Sequence, residues 1–252
     1  SRRKDNVGGQ VEVDGYYSSD IYMSTPLNDV WTKPKNMGAT VNSRYDEQAV
    51  GLTPDGQTML MYIDHIDSLG NIYSSVNKAG IFQRMRKLNN NVNSDFETAG
   101  SITPDGNIIF FASKREGGLG ETDLYMARKL PNGQWAKAQN LGTTLNTKYK
   151  DDFPQIAPDG KTLYFSSQGH AGMGDFDLFE STWNEEENSW TTPKNLGYPI
   201  NSVGDDRCIS FTENNRVAYI SSLREGGLGD LDLYRIKFED SEDKTTVLQG
   251  YI

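Results

Sequence analysis

One turn recurs down this chain and limits what it can fold into. Thr53-Pro54-Asp55-Gly56 returns as Thr103-Pro104-Asp105-Gly106, as Ala157-Pro158-Asp159-Gly160, and in degraded form as Thr212-Glu213-Asn214-Asn215. Counted from the third residue, the intervals are 50, 54 and 55 residues. A second marker, Asx followed by an apolar residue and an aromatic, appears at Asp20-Ile21-Tyr22, Asn71-Ile72-Tyr73, Asp123-Leu124-Tyr125, Asp177-Leu178-Phe179 and Asp232-Leu233-Tyr234. A third runs Trp31, Phe82, Trp135, Trp190, and a fourth is the apolar-Asn pair at Val41-Asn42, Val92-Asn93, Leu145-Asn146 and Ile200-Asn201. All four keep one order, so a unit of about 50 residues is repeated along the chain.

Inside a unit the pattern is that of short strands. Phe153 to Ala157 leads into the Pro-Asp-Gly turn, Lys161 to Ser167 alternates, and Asp177 to Thr182 and Ser189 to Leu196 follow. Proline presets φ at the second turn position and glycine takes the positive φ that ends it, which suits a tight hairpin. No stretch carries a helical stripe. Four strands at this period predict an all-β fold, a β-propeller of four-stranded blades. Label the strands A to D outward from the central channel. Complete sets then start near Glu47, Glu97 and Asp152; the last unit, Asp206 to Phe238, has A, B and C without an aromatic-marked D; the first has C and D, Asp20 to Met37, without A. Ser1-Arg2-Arg3 reads as the end of a B strand by comparison with Ser113-Lys114-Arg115 and Ser222-Leu223-Arg224. The expected total is five blades with the first incomplete, six being the alternative, over residues 1–240, with 241–252 as a linker.

Composition narrows function. With 25 basic and 35 acidic side chains the net charge is −10, so there is no basic surplus to track nucleic-acid phosphates. A single cysteine, Cys208, excludes an internal disulfide. Apolar runs such as Ile108 to Ala112 fall far short of the roughly 20 residues that span a bilayer, and the first residues do not resemble a signal peptide.

The residues that invite chemistry are acidic pairs ahead of each A strand: Asp46 and Glu47, Asp95 and Glu97, Asp151 and Asp152, Asp205 and Asp206. D-to-A and B-to-C loops share one face of a propeller, so these carboxylates should ring one mouth of the channel. There they would meet a cation or a basic partner, or bond loop amides and the arginines Arg3, Arg115 and Arg224. The blades containing His65 and Gln168 lack a matching arginine. Tyr16 and Tyr17 form a candidate loop contact. Trp31, Trp135 and Trp190 read as packing between blades. The runs Gly117-Gly118-Leu119-Gly120, Ala171-Gly172-Met173-Gly174 and Gly226-Gly227-Leu228-Gly229 lack both a nine-residue period and a strand-to-helix context, so they read as structural glycine. Neither histidine, His65 or His170, has an adjacent nucleophile, and no catalytic set, metal site or cofactor site is expected.

The run Ala157 to Ser167, followed by Asp177-Leu178-Phe179 and Trp190-Thr191-Thr192-Pro193-Lys194-Asn195-Leu196-Gly197, resembles the WD40-like, TolB-type propeller repeat. Its dialect, Trp-x-x-Pro-x-Asn-Leu-Gly with Arg-Glu-Gly-Gly-Leu-Gly, resembles the propeller of Bacteroidetes OmpA-family envelope proteins, including the PorE family of type IX secretion components. Glu213-Asn214-Asn215 and Ile81-Phe82-Gln83-Arg84 depart from that pattern. The resemblance implies a non-catalytic scaffold, periplasmic and outer-membrane associated, whose partners are other envelope or secretion-complex proteins. It implies contact with peptidoglycan only through a separate OmpA-like domain, and Thr245 to Ile252 as the first strand of a carboxypeptidase-regulatory-like domain. The competing expectation is a ligand-binding or hydrolytic propeller acting on glycans or peptides.

Overall fold

A computed structural model describes residues 5–9, 11, 15, 17–28, 30–65, 68–212, 216–238 and 247–249. Every regular element among them is a strand. Blade 1 comprises Asp46–Leu52, Thr58–His65, Ser68–Lys78 and Ile81–Phe82, with Arg86–Lys87 on the same outer edge. Blade 2 is Glu97–Ile102, Ile108–Ser113, Asp123–Arg128 and Gln139–Asn140. Blade 3 is Asp151–Ile156, Thr162–Ser167, Asp177–Asn184 and Ser189–Trp190, with Lys194–Asn195. Blade 4 is Asp206–Phe211, Val217–Ser222, Asp232–Lys237 and Val247–Gln249.

The structure thus has four complete blades, not the five or six expected. The first unit supplies only two small antiparallel ribbons, Tyr22–Met23 with Lys35–Asn36 and Pro26–Leu27 with Val30–Trp31, and no A or B strand among the described residues. Those ribbons still occupy a place in the ring. Ile21 and Val41 pack on Met59 and Met61 of blade 1, while the Trp31 ring meets Tyr219 of blade 4 edge-on at 5.9 Å and 72°. Trp190 of blade 3 meets Phe110 of blade 2 in nearly the same way, at 5.9 Å and 77°. Val247–Gln249, within the stretch read as a linker, forms the outer edge of blade 4, with Ile236 opposite Leu248.

Each turn follows from its sequence. In blade 1 the Thr53 hydroxyl donates to Asp55 Oδ1 at 2.6 Å, that same oxygen accepts the Gln57 amide at 3.0 Å, and Gly56 stands at φ 67°. Thr103, Asp105 and Gly106 repeat the arrangement. The degraded turn at Glu213-Asn214-Asn215 lies outside the described residues, but Thr212 N–H still reaches Val217 O at 2.9 Å and closes the hairpin. A strands crowd together at the axis, where a Cβ on Gly51 would stand 2.6 Å from the Gly100 carbonyl.

The core is a series of seams between blades rather than one centre. Leu60, Ile72 and Val92 meet Ile109, Phe111 and Trp135; Phe110, Ala112 and Leu124 meet Leu163, Phe165 and Phe179; Leu178 and Ile200 meet Ile209, Ala218 and Ile220. Alternation along B and C strands sends one face of every blade to each neighbour, which is why both faces are apolar.

The tryptophans divide by how much seam covers them. Trp135 is 6 % exposed, Trp190 is half-buried against Phe110 and Trp183, and Trp31 is 52 % exposed. The expectation of burial holds for Trp135 and in part for Trp190; Trp31 makes the expected contact between units, on Tyr219, but stays exposed, since no inner strands of its own unit stand beside it among the described residues. Trp135→Ala should therefore cost about 3–5 kcal/mol, Trp190→Ala less and Trp31→Ala least. Urea unfolding of the three variants measures that order, and equal losses would contradict the seam assignment.

Candidate functional site: the carboxylate-bearing loop face

The repeated asparagines build this face. Asn146 Oδ1 accepts the Leu124 amide at 2.7 Å and its Nδ2 donates to the Leu124 carbonyl at 3.0 Å, so one buried side chain satisfies both backbone groups of a C-strand residue. Asn42 does the same for Ile21, Asn93 for Ile72 and Asn201 for Leu178. Each Asn sits in the loop that leads into the next blade, so it ties consecutive blades together.

The Asx marker organises the glycine-rich loop. Asp123 accepts the amides of Leu119 and Gly120 at 2.5 and 2.9 Å, and Asp177 those of Met173 and Gly174 at 2.8 and 2.9 Å. Asp232 accepts Leu228 N–H and Asp20 accepts Val7 N–H. A Cβ on Gly172 would lie 2.0 Å from Asp177 Oδ2, so the glycines let the loop close over the carboxylate.

The acidic pairs split into two populations. Glu47, Glu97, Asp151 and Asp206 are buried at the head of each A strand. Glu97 accepts the Ser113 hydroxyl at 2.9 Å and the Arg115 guanidinium at 3.0 Å, and more weakly the amides of Ser94 and Asp95. Asp151 accepts Ser167 Oγ and Thr147 N–H, each at 2.5 Å. Asp206 accepts the hydroxyls of Ser222 and Ser202, the Ser202 amide and, at 3.4 Å, Arg224. Glu97, Asp151 and Asp206 lock the loops together. The others vary: Asp46 takes the Ser19 amide, Asp205 pairs with Arg207 at 2.6 Å, Asp95 is exposed, and Asp152 is buried with Thr98 Oγ1 and Phe153 N–H as donors.

The arginines complete the lock. Arg115 stacks on Phe111 and Tyr125 at 4.8 Å and reaches the carbonyls of Asn91 and Val92, which puts B-to-C and D-to-A loops on one face as expected. Arg224 bonds Pro199 O and Ile200 O in the same manner. Blade 3, without a matching arginine at Gln168, uses His170: its Nε2 lies 2.9 Å from Leu145 O and its ring sits 5.2 Å from Phe179. Arg3, Tyr16 and the His65 side chain lie outside the described residues. Tyr17 is half-buried, and its backbone bridges to Val11. The repeated serines Ser113, Ser167 and Ser222 were not singled out by sequence, although each ends a B strand.

Blade 1 is the exception. Ile63 stands opposite Glu47, where Ser113 stands opposite Glu97. Glu47 is left with the Ser43 hydroxyl on Oε1, and its Oε2, like that of Glu97, has no hydrogen-bond partner among the described residues. Burial pushes its pKa up to about 7, offset in part by Ser43 and reinforced by Asp20 and Asp46. Burial also raises Glu97 and Asp151, against their serine bonds, and takes Asp152 to about 6. Inside the ring, a cavity of about 340 Å³ is lined by A-strand residues, the first unit and the outset of the blade 1 B strand, including Met23, Leu52, Met59, Pro154, Cys208 and Ile209. Cys208 is exposed to that space yet surrounded by protein, and desolvation lifts its thiol to about 11. Among the described residues no three His, Cys, Asp or Glu side chains group to hold a metal ion.

No family model matches the sequence, and no curated protein does. The fold matches solved structures. TolB from Acinetobacter baumannii superposes with a TM-score of 0.55 at 14 % identity, over 86 % of this chain and 45 % of that one. A thermostable family-43 glycoside hydrolase gives 0.52 at 11 % identity, over 88 % and 82 %. The α-L-arabinofuranosidase of Lactobacillus brevis gives 0.50 at 11 % identity, over 78 % and 73 %. The chain spans less than half the length of TolB. At these identities the likeness is one of fold: the chain is a TolB-like β-propeller, and its neighbours include hydrolases as well as TolB.

The Glu47 environment has a consequence in pH. Its folded pKa stands above the unfolded value near 4.5, so the native state holds the proton more tightly and stability falls as pH rises from about 4.5 through 7. Glu47→Gln should gain about 1–3 kcal/mol relative to wild type at pH 8 and flatten that slope. Urea unfolding across pH 4.5–8 measures it, and a parallel pH dependence in the variant would contradict the assignment.

Proposed function

We propose that this propeller is a non-catalytic, periplasmic protein-interaction scaffold in an outer-membrane and peptidoglycan-associated complex, of the type IX secretion kind. Its partners are other envelope proteins, and a separate OmpA-like domain makes the peptidoglycan contact. The observation that carries the reading is the use to which the acids are put. At the head of each blade the buried carboxylate is spent on hydroxyls, amides or a guanidinium of its own loops. The face so built is rigid and acidic, with Asp95 exposed on it and a net chain charge of −10 behind it. Such a surface suits recognition of a basic segment, with steering that salt screens. The TolB-like fold and the envelope-type repeat dialect support the location.

A second reading rests on Asp152, whose buried carboxyl titrates near 6. An acid so shifted could serve a hydrolase working on glycans or peptides in the channel. Two results separate the readings. Under the scaffold reading, Asp95→Lys stays folded, captures fewer basic partners from envelope extract and loses salt dependence, and the purified domain turns over no glycan or peptide substrate. Glu97→Lys should unfold the blade, because that carboxylate is fully buried on Arg115. Turnover abolished by Asp152→Asn would overturn the scaffold reading.

A further inference from the structure

The seam rule that covers every other blade leaves one face bare. Ile72, Leu124 and Leu178, the apolar residues of the Asx marker in blades 1 to 3, are each 0 % exposed. Each is covered by the apolar-Asn pair of the following loop and by the inner strands of the next blade: Ile72 by Val92, Leu124 by Leu145, Leu178 by Ile200. Leu233 holds the same place in blade 4 and is 72 % exposed. Among the described residues no apolar-Asn pair covers it.

The neighbouring loop repeats the contrast. A Cβ on Gly120 would meet the Tyr149 carbonyl at 2.3 Å, and one on Gly174 the Gly204 carbonyl at 2.0 Å, because the next D-to-A loop presses on both. Gly229 has nothing within 4 Å, and Leu228 beside it is 76 % exposed. Yet the far wall is in place: Trp31 already makes on Tyr219 the edge-on contact that Trp190 makes on Phe110. Beside the first unit lies the channel cavity of about 340 Å³, lined by Cys208, Ile209 and Ser210 of blade 4, by Met23 and Met59, and by Ala99 and Pro154 of blades 2 and 3.

We propose that this bare face of blade 4, with the cavity beside it, is a docking slot for a β-hairpin of the propeller's own A-B type carrying an apolar-Asn pair ahead of its first strand. The slot continues an interface the protein already forms three times. The apolar residue of the pair covers Leu233, its Asn bonds the Leu233 amide and carbonyl as Asn201 does for Leu178, and the two strands fill the space under the first unit. Recognition is therefore by added strands, with main-chain bonds supplying affinity and the Leu233 contact supplying register.

The chain contains its own probe. A synthetic peptide of residues 92–115 holds an apolar-Asn pair, an A strand, the Pro-Asp-Gly turn and a B strand. Added to the 252-residue protein, it should bind, raise Tm and slow amide exchange at residues 228–235. Leu233→Asp, a change at an exposed position that leaves the circular dichroism spectrum unaltered, should weaken binding at least tenfold, as should Asn93→Ala in the peptide. Absence of binding, or binding unaffected by Leu233→Asp, would overturn the proposal. So would a dimer of the protein alone that Leu233→Asp dissociates, which would give the face to a second copy instead.

Discussion

The buried asparagine of each D-to-A loop is the contact on which the rest of this molecule depends. A propeller blade is a small sheet with two apolar faces, and apolar burial alone would let neighbouring sheets slide past one another. Asn42, Asn93, Asn146 and Asn201 prevent that by accepting and donating to the backbone of one C-strand residue each, inside a seam from which water is excluded. An unpaired buried amide or carbonyl costs about 1–3 kcal/mol, so each side chain holds two such groups in a single register. Once register is set, the Asx carboxylates, serines and arginines fall into repeating positions around the loop face.

That hierarchy explains the fate of the carboxylates. An acid at the head of an A strand lies inside the lock made by the loop hydroxyls, and it is a structural acceptor before it can be anything else. Where blade 1 replaces serine with Ile63, burial lifts the glutamate at that position to about 7. What the lock does not use is the exposed Asp95, the channel and the uncovered face of blade 4.

Much of this was legible in the sequence, because repetition reveals what one copy would hide. The markers gave strand order, the hairpin turns and the shared loop face. Periodicity could not say which acid of each pair is buried, since a β-bulge in the A strand, between Asp152 and Gln155 in blade 3, shifts the alternation. Nor could it show that His170 replaces an arginine, because the two share a role, packing against an aromatic and bonding a loop carbonyl, but neither spacing nor chemistry. The blade count was overestimated for a related reason. Markers in the first unit belong to strands C and D, and outer ribbons can keep a place in the ring without a complete sheet.

The central claim is that the asparagine lock, rather than apolar contact alone, fixes blade to blade. Equilibrium urea unfolding of Asn146→Ala tests it most directly, since the substitution leaves the Leu124 amide without its partner and the Leu124 carbonyl with the Leu141 amide alone, at the seam between blades 2 and 3. The variant should lose about 1–3 kcal/mol, more than removing a side chain of that size from a surface loop would cost. Wild-type stability in that variant, with the seam still protected from amide exchange, would contradict it.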